Sequence, residues 1–359
     1  MQRWRVAIIG TGGIAGSHMS AWEYCKDRLE RVAAVDIDRD RAAAFARKHG
    51  IPHVYTDAGE MLREQRPDLV HIATPPALHA PLILQSLEAG AHVLCEKPLV
   101  GSLLELDEIA EAEDRSGRFC SSVVQWRFGS AARRIRHLID DGAFGRHTVG
   151  ICATTWYRDH AYYAVPWRGT WASELGGVNM GQAIHLIDLM LWLNTPWREV
   201  TAITETLDRK IEVEDTSLAM VRFEDRSLAS VISSVLSPRQ ETRLRLDFQK
   251  ATAEVVGLYG YRNDNWTVTP LEGTTLPSGA WPPEHDLGSG HGAQLEVMLD
   301  ALDAGQRPSA GTDQIRPTIE FLSALYKSGM TGEPVTRGSI LPGDPFYDHV
   351  SGRVAPATS

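Results

Sequence analysis

Residues 5 to 125 alternate between short apolar runs and amphipathic stretches. The runs are RVAIIG, RVAAVD, DLVHIAT, AHVLCE and RFCSSVVQ, each bounded by Gly, Pro or charge. Short, continuous apolar runs suit strands buried on both faces, as in a parallel sheet. Helical patterns stand between them. In DRDRAAAFARKHG, Asp38 is an N-cap and Gly50 lies just past the end. Asp57 with Glu60 in DAGEMLREQ, and Ser102 with Glu105 in SLLELDEIAEAEDRSG, have capping-box spacing. Strand, helix, strand, repeated, predicts a parallel sheet with right-handed crossovers.

The pattern changes from Gly142. RHTVGICATTWY, REVTAITETL, TSLAMVRF, LASVISSVL, TRLRLDFQ, ATAEVVGL and NWTVTP read as strands joined by short polar turns. They predict a large open, mostly antiparallel sheet in an α+β domain. Two stretches near the end, AQLEVMLDALDAG and DQIRPTIEFLSALYKSG, carry apolar residues at helical spacing. The expected division is an α/β domain over 1–125, an α+β domain over 126–340 and a tail over 341–359, frayed at VAPATS.

Composition narrows the classes. A chain of 359 residues is too long for one small core. With 43% hydrophobic and 23% charged residues it falls in the soluble globular range. The net charge of -10 argues against nucleic acid or an anionic membrane as main partner. No segment has the length and apolarity of a signal peptide or a membrane span. Cys25, Cys95, Cys120 and Cys152 are scattered, without metal-ligand spacing, so reduced thiols in a cytoplasmic protein are expected.

The first turn, GTGGIAGSH, places Gly10 and Gly12 in a GxGxxG/A pattern with Ala15 third. Gly10 permits the tight turn, Gly12 lets backbone approach a pyrophosphate, and Ala15 allows close helix–strand packing. The second strand ends in Asp36, at the offset of a ribose-binding acid. This context makes the 1–125 domain a dinucleotide-binding Rossmann domain. A carboxylate at Asp36, followed by Ile37 and Asp38 rather than arginine, favours NAD over NADP.

Three further segments carry chemistry. Lys97 ends a strand in CEKPL and either projects into the cofactor crevice or is a solvated loop lysine. TTWYRDHAYYAVPWRGTWASE sets Arg158, Arg168 and Glu174 among aromatics, the composition either of a packed aromatic core or of a polar-ligand pocket, in which Trp167 and Arg168 are the candidate pair facing cofactor or substrate. GGVNMGQAIHLID places His185 after a glycine-rich turn, where it is either catalytic or a core histidine. His185 and Asp188 share a helical face, but no third ligand has suitable spacing, so no metal is expected.

GTGGIAGSH, ATPPALHAPL, CEKPL and GGVNMGQAIHLID, in this order, resemble the Gfo/Idh/MocA oxidoreductases over nearly the whole chain. The resemblance implies that Gly10, Gly12, Gly13, Ile14 and Asp36 contact the NAD pyrophosphate and ribose. Thr74, Pro75, Pro76 and His79 match a loop over the adenosine side and nicotinamide ribose. Glu96 and Lys97 match the pair beside the nicotinamide, Lys97 being the family's catalytic lysine. Gln125 and Arg127 match a polar–Arg pair, and His185 the proton-transferring, substrate-contacting histidine. The family's sheet often lies in a dimer or tetramer interface, so a homo-oligomer is expected.

The implied activity is NAD-dependent oxidation of a secondary alcohol in a sugar, cyclitol or sugar derivative. Alternatives are NAD-assisted elimination or hydrolysis of a glycoside, and a non-catalytic sensor of the same fold. One departure stands out. The family's acid or amide four residues before the histidine is here Gly181, and the small residue two before it is Ala183 rather than glycine. Asn179 and Gln182, or else a ligand group or water, are the expected replacements for the missing hydrogen bond.

Overall fold

The computed structural model describes residues 3–277, 279 and 281–352, and the chain divides into two compact units. The first unit holds six parallel strands: β1 (Trp4–Ile9), β2 (Leu29–Val35), β3 (His53–Tyr55), β4 (Leu69–Ile72), β5 (His92–Cys95) and β6 (Cys120–Ser122). Their order is β3-β2-β1-β4-β5-β6, the doubly wound arrangement of a Rossmann domain. The order reverses between β1 and β4, where Ile9 pairs with Ile72. Every residue of β4 and β5 is buried, which is why these strands read as continuous apolar runs. β3, three residues with one buried, carried too little pattern to be read.

The helix ends follow their caps. Asp38 accepts from the backbone N–H groups of Asp40 and Arg41, and Gly50 closes that helix in the left-handed region. Asp57 accepts from Glu60 N, and Ser102 from Glu105 N. Glu105 returns its carboxylate to Gly101 N, one residue before the cap.

The expected division at residue 125 needs one correction. Residues 291–316 belong to the first unit. The helix His291–Asp303 presents Leu295, Met298, Leu299 and Leu302, at helical spacing, to a core containing Met19, Trp22 and Val6. Arg28 fastens it through Asp300 and Asp303, both at 2.7 Å. Apolar periodicity identified this helix but carries no address for the core it enters.

The second unit is built on β7 (His147–Tyr157), β8 (Trp197–Glu205), β9 (Thr216–Phe223), β10 (Leu228–Ser234), β11 (Leu236–Phe248), β12 (Ala251–Gly257), β13 (Trp266–Pro270) and β14 (Val335–Thr336). The order is β13-β12-β11-β7-β10-β9-β8-β14, antiparallel except for the β7–β10 pair. Burial alternates along β9 to β12 because one face is covered. The helix Ile184–Leu193 packs on β7 and β11. Residues 317–331 pack on β8, where Ser328 Oγ receives Ala202 N. The other face exposes Ile203, Leu218, Met220 and Leu228. The segment after 341 is not all tail: Asp344 caps a short helix and binds Lys327, and Val350 is fully buried. VAPATS, residues 354–359, lies outside the described residues.

Candidate active site

In the first unit the glycine turn sits where β1 and β4 part. Gly10 has φ +92°, and a Cβ there would stand 2.5 Å from Ala73 O, so only glycine fits. Cβ atoms at Gly12 or Gly13 would meet nothing, which leaves an open backbone surface at the start of the helix Ala15–Tyr24, beside Ile14. That surface can take a pyrophosphate.

Asp36 follows β2 and is 6% exposed. Its Oδ2 accepts from Thr11 N and Oγ1 at 2.9 and 2.8 Å, and its Oδ1 from Asp38 N. No arginine follows Asp36 directly in the chain, but Arg41, one helical turn on, donates Nε to Oδ2 at 3.0 Å and Nη2 to Oδ1 at 2.5 Å. Burial pushes the Asp36 pKa up, but the Arg41 and Thr11 hydrogen bonds outweigh it and hold the value at about 2. Arg41 was missed because helical return, not sequence adjacency, brings it to Asp36.

Thr74 and Pro75 are half-buried and Pro76 is buried. His79 is fully buried and bridges Pro98 O at 2.8 Å and Thr74 O at 3.0 Å, tying this loop to the segment after Lys97. Burial lowers its pKa and the two carbonyls oppose that. Lys97, half-buried, follows β5. Glu96 beside it is buried, with Oε1 2.8 Å from His291 Nε2 and 3.2 Å from His18 Nε2. His18, Glu96 and His291 each place a ligand atom within 4.8 Å of the others. No spacing rule links residues 18, 96 and 291, so this cluster was not legible in the chain.

In the second unit a π-helical turn, Asn179–Ala183, leads into the helix Ile184–Leu193. His185 is 5% exposed, its ring 5.0 Å from Trp126 and 5.6 Å from Tyr259. Gln125 Nε2 donates to Tyr259 OH at 2.8 Å, bracing that aromatic. Arg127 Nε donates to Asp188 Oδ2 at 2.7 Å, and its Nη2 to Oδ1, which also receives Thr318 Oγ1. Arg127 is thus held in a buried ion pair, and Asp188 is committed to it rather than to a metal.

Asn179 is fully buried and its Nδ2 donates to Glu214 Oε1 at 3.0 Å. Glu214 also accepts from Gly177 N, Asn179 N and Tyr326 OH. Burial raises Glu214 to about 7 against the opposing pull of these donors. The expectation that Asn179 supplies the missing substrate bond is therefore corrected for its amide nitrogen, which anchors the turn.

Gln182 does face the aromatic segment: its Nε2 donates to Tyr162 OH at 2.9 Å. Arg168 donates Nη1 to the same hydroxyl and to Glu174 Oε1 at 3.0 Å. Its guanidinium lies 3.9 Å from the Tyr162 ring and 4.2 Å from the Trp167 ring. Arg158 stacks over Trp156 and Tyr162 and donates to Tyr157 O. Burial raises the Tyr162 pKa, so the phenol keeps its proton. A Cβ at Gly181 would stand 3.6 Å from Glu174 Oε1. A carboxylate thus lies beside the place where the family's acid is missing. The hydroxyl, amide and guanidinium groups among flat rings suit a polyhydroxylated ligand.

Comparisons with known proteins bear on both parts of the chain. The pattern described as "Oxidoreductase family, NAD-binding Rossmann fold" matches residues 4–123, and that of the GFO/IDH/MocA C-terminal domain matches residues 132–254. The chain is 25% identical to D-apiose dehydrogenase of Paraburkholderia graminis over 353 residues, covering 95% of this chain and 91% of that protein. It is 25% identical to D-glucoside 3-dehydrogenase of Escherichia coli over 354 residues, covering 92% and 97%. Its structure is similar to that of the WlbA dehydrogenase from Bordetella pertussis in complex with NADH and UDP-GlcNAcA. That likeness has a TM-score of 0.84 and 27% identity, over 93% of this chain and 99% of that one.

Proposed function

The chain belongs to the Gfo/Idh/MocA oxidoreductase family, and from that premise we propose that it oxidises a secondary alcohol of a sugar, cyclitol or sugar derivative, with Lys97 and His185 in proton transfer and substrate orientation. It is an NAD-dependent oxidoreductase acting on CH–OH groups. The Gly10–Ile14 turn and the Asp36 carboxylate fit the pyrophosphate and ribose of NAD, which when bound supplies the hydride acceptor. Lys97 takes or holds the hydroxyl proton at Nζ, and His185 orients the oxygen through a ring nitrogen, the two roles being exchangeable between them.

The observation that carries the carbohydrate reading is the Tyr162–Arg168–Glu174–Gln182 cluster, which opens the chain into the His185 helix. The sugar dehydrogenases among the relatives support the same class. The test is NAD reduction across a panel of aldoses, glycosides, inositols and sugar acids. Lys97→Ala is expected to lower turnover about 10²-fold or more. Turnover unchanged by that substitution removes the lysine from the mechanism. Bond cleavage without net NADH would move the reaction to the elimination class, and tight NADH binding without turnover on any compound would make the protein a sensor.

The uncovered face of the second sheet supports a homodimer or homotetramer. Met220 is 70% exposed and Ile203 62%, and Leu218 pairs with Ile203 across β8 and β9. Met220→Glu is expected to shift the light-scattering mass to monomer. No helix among the described residues is long and apolar enough to cross a membrane. The four cysteines are buried free thiols, and it is this that supports a cytoplasmic location.

A further inference from the structure

Five side chains of the first unit, unused by the reaction described above, form a buried file, hydrogen-bonded from Trp22 to His71, from His71 to His18 and between His291 and Glu96, and closed by an ion-pair contact between His18 and Glu96. His18 and Trp22 face inward from the helix Ala15–Tyr24, His71 from β4, Glu96 from the end of β5, and His291 from the start of its helix. His18, Trp22 and His71 have no exposed surface, and Glu96 and His291 are 5% and 8% exposed. Trp22 Nε1 lies 3.1 Å from His71 Nε2, and His71 Nδ1 lies 2.9 Å from His18 Nδ1. His18 Nε2 and His291 Nε2 both reach Glu96 Oε1, at 3.2 and 2.8 Å.

The proton positions follow from this order. An indole N–H only donates, so His71 Nε2 accepts. A neutral imidazole carries one proton, so His71 holds it at Nδ1 and donates to His18 Nδ1. His18 then carries its own proton at Nε2, the ring atom that lies 3.2 Å from Glu96 Oε1 in an ion-pair contact. A second proton on His18 would turn the His71 donor toward the indole, setting two N–H groups face to face at 3.1 Å. The same reasoning excludes a metal ion between His18, Glu96 and His291, since a ligand nitrogen must be bare. Burial lowers His18, against the pull of Glu96, and lowers His71 further. Burial alone would raise Glu96, but the two imidazoles hold it well below the carboxylate range.

We propose that Trp22 sets the direction of a one-way hydrogen-bond relay through His71 and His18 that keeps Glu96 a fixed anion, and that Glu96 is thereby a positioning residue for Lys97. Glu96 Oε2 accepts the Lys97 backbone N–H at 3.2 Å, so a carboxylate clamped at one oxygen holds the lysine's backbone with the other. This rests on the reading of Lys97 as a proton-transfer group. The titratable groups facing Glu96 are His18, His71 and His291, with Cys95, His79 and Lys97 on the adjoining segments.

The experiment compares wild type with Trp22→Phe, which keeps a flat ring and removes the N–H. Imidazole 15N NMR, assigned with His18→Gln, is expected to show His71 protonated at Nδ1 and His18 at Nε2, unchanged from about pH 5.5 to about pH 8.5. In Trp22→Phe, His71 is free to turn a bare nitrogen toward His18, and the His18–Glu96 pair takes up a proton that cancels the net negative charge beside Lys97. The variant's kcat falls about tenfold below pH 7 and recovers as pH rises, with KM for NAD unchanged. His71→Gln, whose amide both accepts from Trp22 and donates to His18, restores the profile that His71→Leu loses, and this pair decides the matter if Trp22→Phe fails to fold. The proposal is overturned by an Nδ1–H or doubly protonated His18 in wild type, by stoichiometric metal in the purified enzyme, or by matching pH profiles in His71→Gln and His71→Leu. Lys97→Ala with normal turnover defeats the lysine reading alone, because the NMR measurement reports the relay without it.

Discussion

Asp188→Ala probes what holds His185. Asp188 is 1% exposed, three residues beyond His185 on the same helix, and accepts from Arg127 and from Thr318 Oγ1. Truncation removes every one of these acceptors and strands a guanidinium that is 7% exposed. Breaking such a pair from one side costs about 3–5 kcal/mol, most of it from the uncompensated charge. At about 2–4 °C per kcal/mol, the expected fall in Tm is roughly 6–20 °C. Asp188→Asn keeps one acceptor and loses about 1.5–3 kcal/mol. Arg127→Leu combined with Asp188→Leu removes both charges and costs far less than Asp188→Ala. Urea unfolding followed by tryptophan fluorescence measures each value, with two transitions fitted because the chain has two units. Trp126, next to Arg127, stacks against His185, so kcat also falls in Asp188→Ala while KM for NAD holds. A cost under about 1 kcal/mol, or a double variant as unstable as the single one, refutes the reasoning.

Three further outcomes follow from the same geometry. Arg41→Ala is expected to weaken NADP binding about tenfold while leaving NAD within about threefold, because Arg41 is the cation at Asp36 able to meet a 2′-phosphate; equal losses for both dinucleotides in a fluorescence titration would contradict this. Gly181→Asp places a second carboxylate near Glu174, a repulsion of about 4 kcal/mol at 4 Å and an effective dielectric of 20, partly offset by Arg168, so substrate KM rises and activity weakens further at high pH; an unchanged pH profile would make the departure at Gly181 neutral. Glu214, raised from 4.5 to about 7 by burial, binds its proton more tightly folded than unfolded. Its contribution to stability is present below pH 4.5 and is lost as pH rises to about 7, by about 3 kcal/mol, so urea stability in wild type should fall across that window relative to Glu214→Gln, and parallel curves would exclude it.

Elements and caps were legible because their signals are local. Strand runs, helical periodicity, the caps at Asp38, Asp57 and Ser102, and the left-handed Gly50 depend on residues within a turn of one another. The Gly10 turn was readable for the same reason, Asp36 from its fixed offset to that turn, and the open, mostly antiparallel sheet from the strand pattern along the chain. The family resemblance, carried by four motifs along the chain, stood on the same local ground.

Partnership across the chain was another matter. Periodicity shows that the helix His291–Asp303 has an apolar face, but only packing decides that this face enters the first unit's core. Arg127, Asn179 and Glu174 were chosen for their chemistry, and the fold gives each a partner: buried Asp188, buried Glu214 and half-buried Arg168. The Trp22–His71–His18–Glu96–His291 file joins residues from four elements. A single sequence determines what each residue offers within a helical turn or a strand pair. Which donors meet which acceptors in the interior is decided only when tertiary packing removes water and leaves each buried polar group the neighbours at hand.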